Sequence, residues 1–240
     1  MLELSKISHT NTHSEVWHKE KLGKISASTV VNLMGEKSDL GILTSGAITY
    51  IEGKAGEICT GLPAEKEFFN DDTDWGNSYE PESLNYFSEF VGKPLLRNEH
   101  DGTTHRLIIE NEYMGCTPDA LMPVNPNALF DSTGTKLNVE TVEGKCPPKH
   151  HRFIKLFKCL TPEDLKRVEK KYYWQVVCQM HFCGALKGNF FVYHPDFAGK
   201  RQIRVIPFRK LELISDFQKL ERTLGFAKAE IIRTVELFKN

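Results

Sequence analysis

The chain has 240 residues, of which 40% are hydrophobic and 26% charged, an ordinary globular composition that fits one large domain or two small ones. No apolar run approaches the roughly 20 residues of a membrane-spanning helix, and no basic segment followed by an apolar core opens the chain, so a helical membrane protein is excluded and a cytosolic one expected. The net charge of -1 excludes a uniformly basic nucleic-acid binder and shifts the question to how the charge is distributed.

Residues 13–35 read as two short helices with a turn at Gly23, and Ser26 stands where it can cap the second, over 27–34. Amides exposed at such a helix start can hold a phosphate, to which Lys21 and Ser28 would add a charge and a hydroxyl. Residues 44–60 read as a helix that buries Ile48, Ile51, Ala55 and Ile58, and 61–73 as an acidic, turn-rich loop. A second amphipathic helix covers 74–91, with a break or kink expected where Pro81 follows Glu80. Runs 94–99, 105–110, 120–122 and 139–145 read as consecutive strands joined by turns such as Asp101-Gly102, which implies an antiparallel meander. The polar stretch 123–136 is a long loop or extra hairpin with no assignable function. Thr161, followed by Pro162, Glu163 and Asp164, caps a long helix to about residue 182. Residues 188–194 and 202–208 read as a hairpin, and 210–239 as a charged amphipathic helix with Gly225 as the point of a bend.

The chemistry concentrates between Tyr113 and Pro147. Strand alternation puts Glu143 and Lys145 on one face, about 7 Å apart. Asp119 enters the run Ala120-Leu121-Met122, and if the two strands are neighbours its carboxylate converges with that of Glu143. Two carboxylates, the Gly144 carbonyl and waters suit Mg²⁺ or Mn²⁺, which take hard oxygen ligands. The Lys145 ammonium can then orient an attacking water and stabilise charge growing on a phosphate. Directly after this strand, Lys145, Lys149, Arg152, Lys155, Lys158, Lys166, Arg167, Lys170 and Lys171 outnumber Glu163, Asp164 and Glu169 and suggest a phosphate track. The six cysteines contain no Cys-x-x-Cys pair and several lie in apolar runs, which points to reduced, buried thiols.

Thr117-Pro118-Asp119 followed by Glu143-Gly144-Lys145 resembles the PD-(D/E)XK nuclease signature, and Glu143-Gly144-Lys145-Cys146-Pro147 resembles the form in the phage lambda exonuclease, or YqaJ-type viral recombinase, branch. Three further blocks are similar to that branch in the same order: Trp17-His18-Lys19 leading to Leu22-Gly23-Lys24-Ile25-Ser26-Ala27-Ser28, Trp75-Gly76-Asn77-Ser78-Tyr79-Glu80, and Tyr172-Tyr173-Trp174-Gln175 with Gln179. The resemblance spans roughly residues 15–195. It implies an α/β, restriction-endonuclease-like fold, a central mixed sheet flanked by helices, here as one domain over 1–240.

The implied activity is a Mg²⁺-dependent exonuclease that degrades the 5′ strand of linear duplex DNA and leaves 3′ overhangs for recombination in a bacterial host. The resemblance also implies that Glu80 faces the metal site and shares a second ion with Asp119, and that Gln175 contacts water or phosphate. It makes Lys21 and Ser28 part of a pocket for the 5′-phosphate, although the family usually has arginine where Lys21 stands. A ring-shaped homotrimer and a single-strand annealing partner are further implications. An iron–sulfur cluster, carried by some wider relatives, is not expected, because the clustered C-terminal cysteines are missing. The alternatives are a metal-dependent endonuclease on the same fold and a non-catalytic protein that binds DNA ends.

Overall fold

The computed structural model describes residues 2–3, 7–9, 15–64, 71–97, 106–125 and 136–239. In chain order its elements are β1 (Leu2–Glu3), β2 (Ile7–His9), α1 (Glu15–Lys21), β3 (Ile25–Ser26), α2 (Ser45–Thr60), α3 (Asp71–Val91), β4 (Leu96–Arg97), β5 (Arg106–Asn111), β6 (Met114–Cys116) and β7 (Ala120–Pro123). They continue with β8 (Lys136–Leu137), β9 (Val139–Lys145), α4 (His150–Phe157), α5 (Pro162–Val168), α6 (Lys170–Phe182), β10 (Lys187–Tyr193), β11 (Ile203–Arg209) and α7 (Ile214–Leu237). The turn read at Asp101-Gly102, most of the 123–136 stretch and part of the 61–73 loop lie outside the described residues.

A five-stranded mixed sheet in the order β11-β10-β9-β7-β4 carries the centre of the fold. Its only parallel pair among the described residues is β9 with β10, joined through α4, α5 and α6 as a helical crossover, while β7 runs antiparallel to β9 with Ala120 opposite Val142. Side chains alternate as a doubly covered sheet requires. Phe190 and Val192 of β10 join a core with α2, α6 and α7, whereas Phe191 and Tyr193 join Leu84 and Phe87 of α3 on the opposite face. The Phe87 and Phe191 rings stack with centroids 4.9 Å apart.

The expected meander is replaced by two separate sheets. β5 and β6 form a hairpin that pairs with β2 and β3 in a four-stranded sheet, so chain order does not give spatial order. Ser26 does not cap an α-helix either: it ends β3, which pairs with β6, and a four-residue 3₁₀ turn, Val30–Leu33, follows. Ala27, Val30 and Leu33 are buried at spacing three, which matches the 3₁₀ repeat rather than the α repeat. Pro81 breaks nothing. It sits on the exposed side of a continuous α3, where water can take the carbonyl it leaves free, and Ser83 Oγ donates to Glu80 O at 2.8 Å.

The single helix expected from Thr161 is two helices. The chain leaves helical geometry at Glu169, whose carbonyl accepts from the Tyr172 and Tyr173 amides and starts α6 afresh. α7 runs through Gly225 without interruption, and in α2 the buried face is Ala47, Ile51 and Ala55, with Ile48 exposed. Cys116, Cys146, Cys159, Cys178 and Cys183 are buried and Cys59 is exposed, all six as free thiols.

Asp164 closes the capping box of α5. Its carboxylate accepts from Thr161 Oγ1 at 2.9 Å, from the Thr161 and Leu160 amides and from Arg167, and these bonds hold its pKa at about 2 against an ordinary 3.8. A depressed carboxylate stabilises the native state fully above its unfolded pKa and loses that contribution as pH falls through the folded one. Urea unfolding followed from about pH 4 down to about pH 2 is expected to show a shallower acid loss for Asp164→Asn than for the parent chain.

Candidate active site

Asp119 stands at the mouth of β7 and Glu143 to Lys145 at the C-terminal end of β9, so the antiparallel pairing of these strands brings the signature residues together. The Gly144 amide donates to Asp119 Oδ2 at 2.8 Å. No side chain fits at residue 144, since a Cβ there would lie 2.3 Å from Cζ of Phe191. That close approach lets the sheet seat the Asp119 carboxylate against the backbone.

Glu143 is 1% exposed and is held from three sides. Its Oε1 accepts from Lys145 and from Gln175 Nε2 at 2.5 Å, and its Oε2 accepts from Gln179 Nε2 at 2.6 Å. Both glutamines lie on α6, one helical turn apart, so a single helix face supplies two donors to one carboxylate. Gln179 is the residue that sequence reasoning left without a role. The signal was its i, i+4 spacing from Gln175, which reads equally well as core packing.

Burial pushes the Asp119 carboxyl well above the usual carboxylate range, and the neighbouring charges of Glu143 and Glu80 push the same way against Lys145 and the Gly144 amide. For Lys145, burial opposes the charged form, but Glu143 and Asp119 outweigh it and hold the ammonium protonated far above neutral pH. Its Nζ also lies 5.5 Å from the centroid of the Tyr172 ring. Three carboxylates answered by one ammonium favour added positive charge, and their hard oxygen donors fit Mg²⁺ or Mn²⁺. Among the described residues Asp119, Glu143 and Glu80 are not gathered into a tight ligand cluster, and Lys145, Gln175 and Gln179 all donate to Glu143.

A groove of about 710 Å³ opens over this point, lined by Glu80, Gly144, Lys145 and Gln175 and walled by His151, Arg152 and Lys155 of α4. Lys171 and Tyr172 of α6 complete that wall. The basic stretch read from the sequence is therefore divided. Lys166 pairs with Asp216, Arg167 with Asp164, and Lys170 donates to Met34 O, so these three serve the scaffold. Lys149 is exposed just before α4, and Arg152 reaches Asp72 of α3 at 3.1 Å across the groove.

A second cavity, of about 180 Å³, meets the groove at Ser28 and Gln175. Lys21, Lys24, Ser26 and Ser28 line it on one side and Gln175 and Gln179 on the other. The turn that presents Lys21 and Lys24 depends on Gly23, at φ 71°, where a Cβ would meet Ile58 at 2.3 Å, and its amide donates to the buried Glu57 at 2.8 Å. Hydroxyls support the floor in a chain: Ser28 to Ser26 at 3.1 Å, Ser26 to Thr29 at 2.8 Å and Thr29 to Tyr50 at 2.7 Å.

Residues 16–186 match the YqaJ-like viral recombinase domain. The chain belongs to that family. The YqaJ-like chain matches no curated protein. Its fold is that of an alkaline exonuclease, LHK-Exo, from Laribacter hongkongensis, with a TM-score of 0.63 at 21% identity over 92% of this chain and 95% of that one. The same enzyme in complex with dAMP gives 0.62 at 22% identity over the same shares, and a phage-related exonuclease from Haemophilus somnus 129PT gives 0.63 at 17% over 89% and 95%. The restriction-endonuclease-like architecture read from the sequence is thus the one present.

Gly144→Ala places a methyl into the Phe191 ring, itself fixed by Phe87. An overpacking loss of about 1–3 kcal/mol is expected in urea unfolding, with the far-ultraviolet circular dichroism of the folded state unchanged.

Proposed function

We propose that this YqaJ-like chain is a metal-dependent 5′-to-3′ exonuclease that acts on ends of linear double-stranded DNA and produces 3′ single-stranded overhangs for phage-type recombination. The observation that carries the reading is the convergence of Asp119, Glu143 and Lys145 at one end of the β7–β9 pair, next to a basic-walled groove that Lys145 lines. The second cavity adds direction. It joins the groove at Gln175 and offers two lysines and two serine hydroxyls, groups that recognise a terminal phosphate. A 5′-phosphate seated there would place the adjacent phosphodiester over Glu143 and Lys145, which favours an end-dependent enzyme over an endonuclease or a non-catalytic end binder.

Asp119, Glu143 and the Gly144 carbonyl would hold one Mg²⁺ or Mn²⁺ ion, and Glu80 with Asp119 a second; bound there, such ions supply an activated water and neutralise phosphate charge. Lys145 stays protonated and donates to the non-bridging oxygens as negative charge develops. Gln175 and Gln179 fix the rotamer of Glu143 through a hydrogen bond to each of its oxygens. Arg152, Lys155 and Lys149 contribute to backbone attraction along α4. The main hydrophobic core, which takes residues from Ile25 through Val235, supports one domain over 1–240. A homotrimer, an annealing-protein partner and a cytoplasmic setting in a bacterial host complete the proposal on the strength of the family.

End-labelled linear duplex is expected to be degraded with Mg²⁺ and untouched with chelator, while closed circular DNA survives in both. Nicking or linearisation of the circle overturns the exonuclease reading in favour of an endonuclease. Lys145→Met is expected to lower kcat by about 10²–10³-fold without unfolding the chain, the size of effect seen when one transition-state donor is removed. Linear DNA with 5′-hydroxyl ends is expected to react at least about tenfold more slowly than its 5′-phosphorylated form, since a lost charge-assisted hydrogen bond is worth about 1.5–3 kcal/mol. Lys21→Ala should erase most of that difference, and equal rates on both ends in the parent chain would remove the pocket assignment.

A further inference from the structure

One side of α2 carries Tyr50, Lys54 and Glu57 at spacings of four and three, which sets them next to one another along the helix. Lys54 Nζ lies 2.8 Å from Glu57 Oε2 and 5.7 Å from the centroid of the Tyr50 ring. Neither the groove nor the smaller cavity is lined by any of the three. We infer that Glu57 and Tyr50 are positioning residues that, through the Gly23 turn and the Ser28 hydroxyl, set the preference of the smaller cavity for a 5′-phosphate over a 5′-hydroxyl end, an assignment that rests on the end-dependent reaction proposed above.

Glu57 is buried, and a carboxylate so placed must find its partners within the protein. Its Oε2 accepts from the Gly23 amide at 2.8 Å as well as from Lys54, and its Oε1 accepts from the Ala64 amide at 3.3 Å. The bond to Gly23 clamps the turn between α1 and β3 onto α2, and the fit is close enough that a Cβ at residue 23 would run into Ile58 of the same helix. Lys21 and Lys24 stand at the two ends of that turn, where the Lys24 amide donates to the Lys21 carbonyl at 3.1 Å. A turn held at its middle residue keeps both lysine backbones in place before a ligand arrives. Without the clamp the ligand itself would have to order them, and the cost of that ordering weakens binding.

Tyr50 acts on the hydroxyls of the same cavity. It stands at the inner end of the chain that runs through Thr29 and Ser26 to Ser28, and burial keeps its phenol protonated far above neutral pH. Thr29 Oγ1 lies 2.8 Å from Ser26 Oγ, closer than the Ser26 carbonyl at 3.3 Å. With a donor at the inner end, each hydroxyl can donate outward in turn, which leaves the Ser28 proton for an oxygen of the ligand. A phosphate dianion presents only acceptors, whereas a 5′-hydroxyl brings a proton of its own and no charge. Fixed cations and an outward-pointing donor therefore favour the phosphate, and α2 supports both.

The test is the ratio of affinities of the full chain for 5′-phosphorylated and 5′-hydroxyl duplexes of one sequence, read by fluorescence anisotropy in chelator, with Lys21→Ala as the reference variant. The parent chain is expected to favour the phosphorylated end at least about tenfold. Tyr50→Phe is expected to lower that ratio about threefold and Glu57→Leu at least about fivefold, while Glu57→Gln, which keeps an acceptor for the Gly23 amide, stays within about twofold of the parent. A purely structural role would weaken binding to both ends alike and leave the ratio where it was. Should Glu57→Leu fail to fold by circular dichroism, Tyr50→Phe decides. The inference is overturned if Tyr50→Phe or a folded Glu57→Leu keeps the parent ratio while Lys21→Ala collapses it, a result that leaves the exonuclease reading standing. A parent chain that binds both ends equally removes the pocket assignment and this inference together.

Discussion

Everything at the centre of this molecule is arranged around one buried carboxylate. Glu143 sits on the inner strand of the sheet, and an ionised group so placed is costly unless its lone pairs are satisfied. Lys145 from the same strand and Gln175 and Gln179 from α6 provide that satisfaction, so the crossover helix is docked on the sheet by the chemistry of the site as well as by its apolar face. Asp119 is drawn in by the Gly144 amide, and Gly144 is free of a side chain because Phe191 fills the space where one would stand. Packing on the α3 side of the sheet and polarity on the α6 side therefore meet at a single residue of β9.

The electrostatics follow from that arrangement. Burial and like charge raise the affinity of Asp119 for a proton, and the same fields hold Lys145 charged, which leaves the cluster short of positive charge. Added positive charge relieves that imbalance. The division of the basic stretch shows the same economy: Lys166, Arg167 and Lys170 are consumed by helix packing, and Arg152 and Lys155 face the groove. Tyr173, whose hydroxyl donates to Asp216 at 2.6 Å, shares that carboxylate with Lys166 and locks α6 to α7.

The two cavities give the site a direction that a symmetric cleft would lack. The open groove is lined by Glu80, Gly144 and Lys145, and the smaller cavity by α1, the turn after it and α6. Their junction at Ser28 and Gln175 couples a residue of the N-terminal block to one of the crossover helix, more than a hundred positions away in the chain. The hydroxyl chain from Ser28 to Tyr50 extends this support to α2.

What the sequence determined by itself was which side chains share a face of β9 and most of the element types. Strand alternation put Glu143 and Lys145 on one face, the capping box at Thr161 started α5, and the apolar runs of β10 and β11 formed the hairpin read from them. These are local consequences of backbone periodicity and side-chain hydrogen bonding. Tertiary structure alone decided which strands became neighbours, dividing β5 and β6 from β7 and β9, because pairing partners are chosen by burial across the whole chain rather than by any one segment. It also ran α3 through Pro81, turned the Ser26 block into a strand and a 3₁₀ turn, and broke the helix at Glu169. In each of these, contacts distant in sequence or the side of the helix that faces water outweighed the local preference.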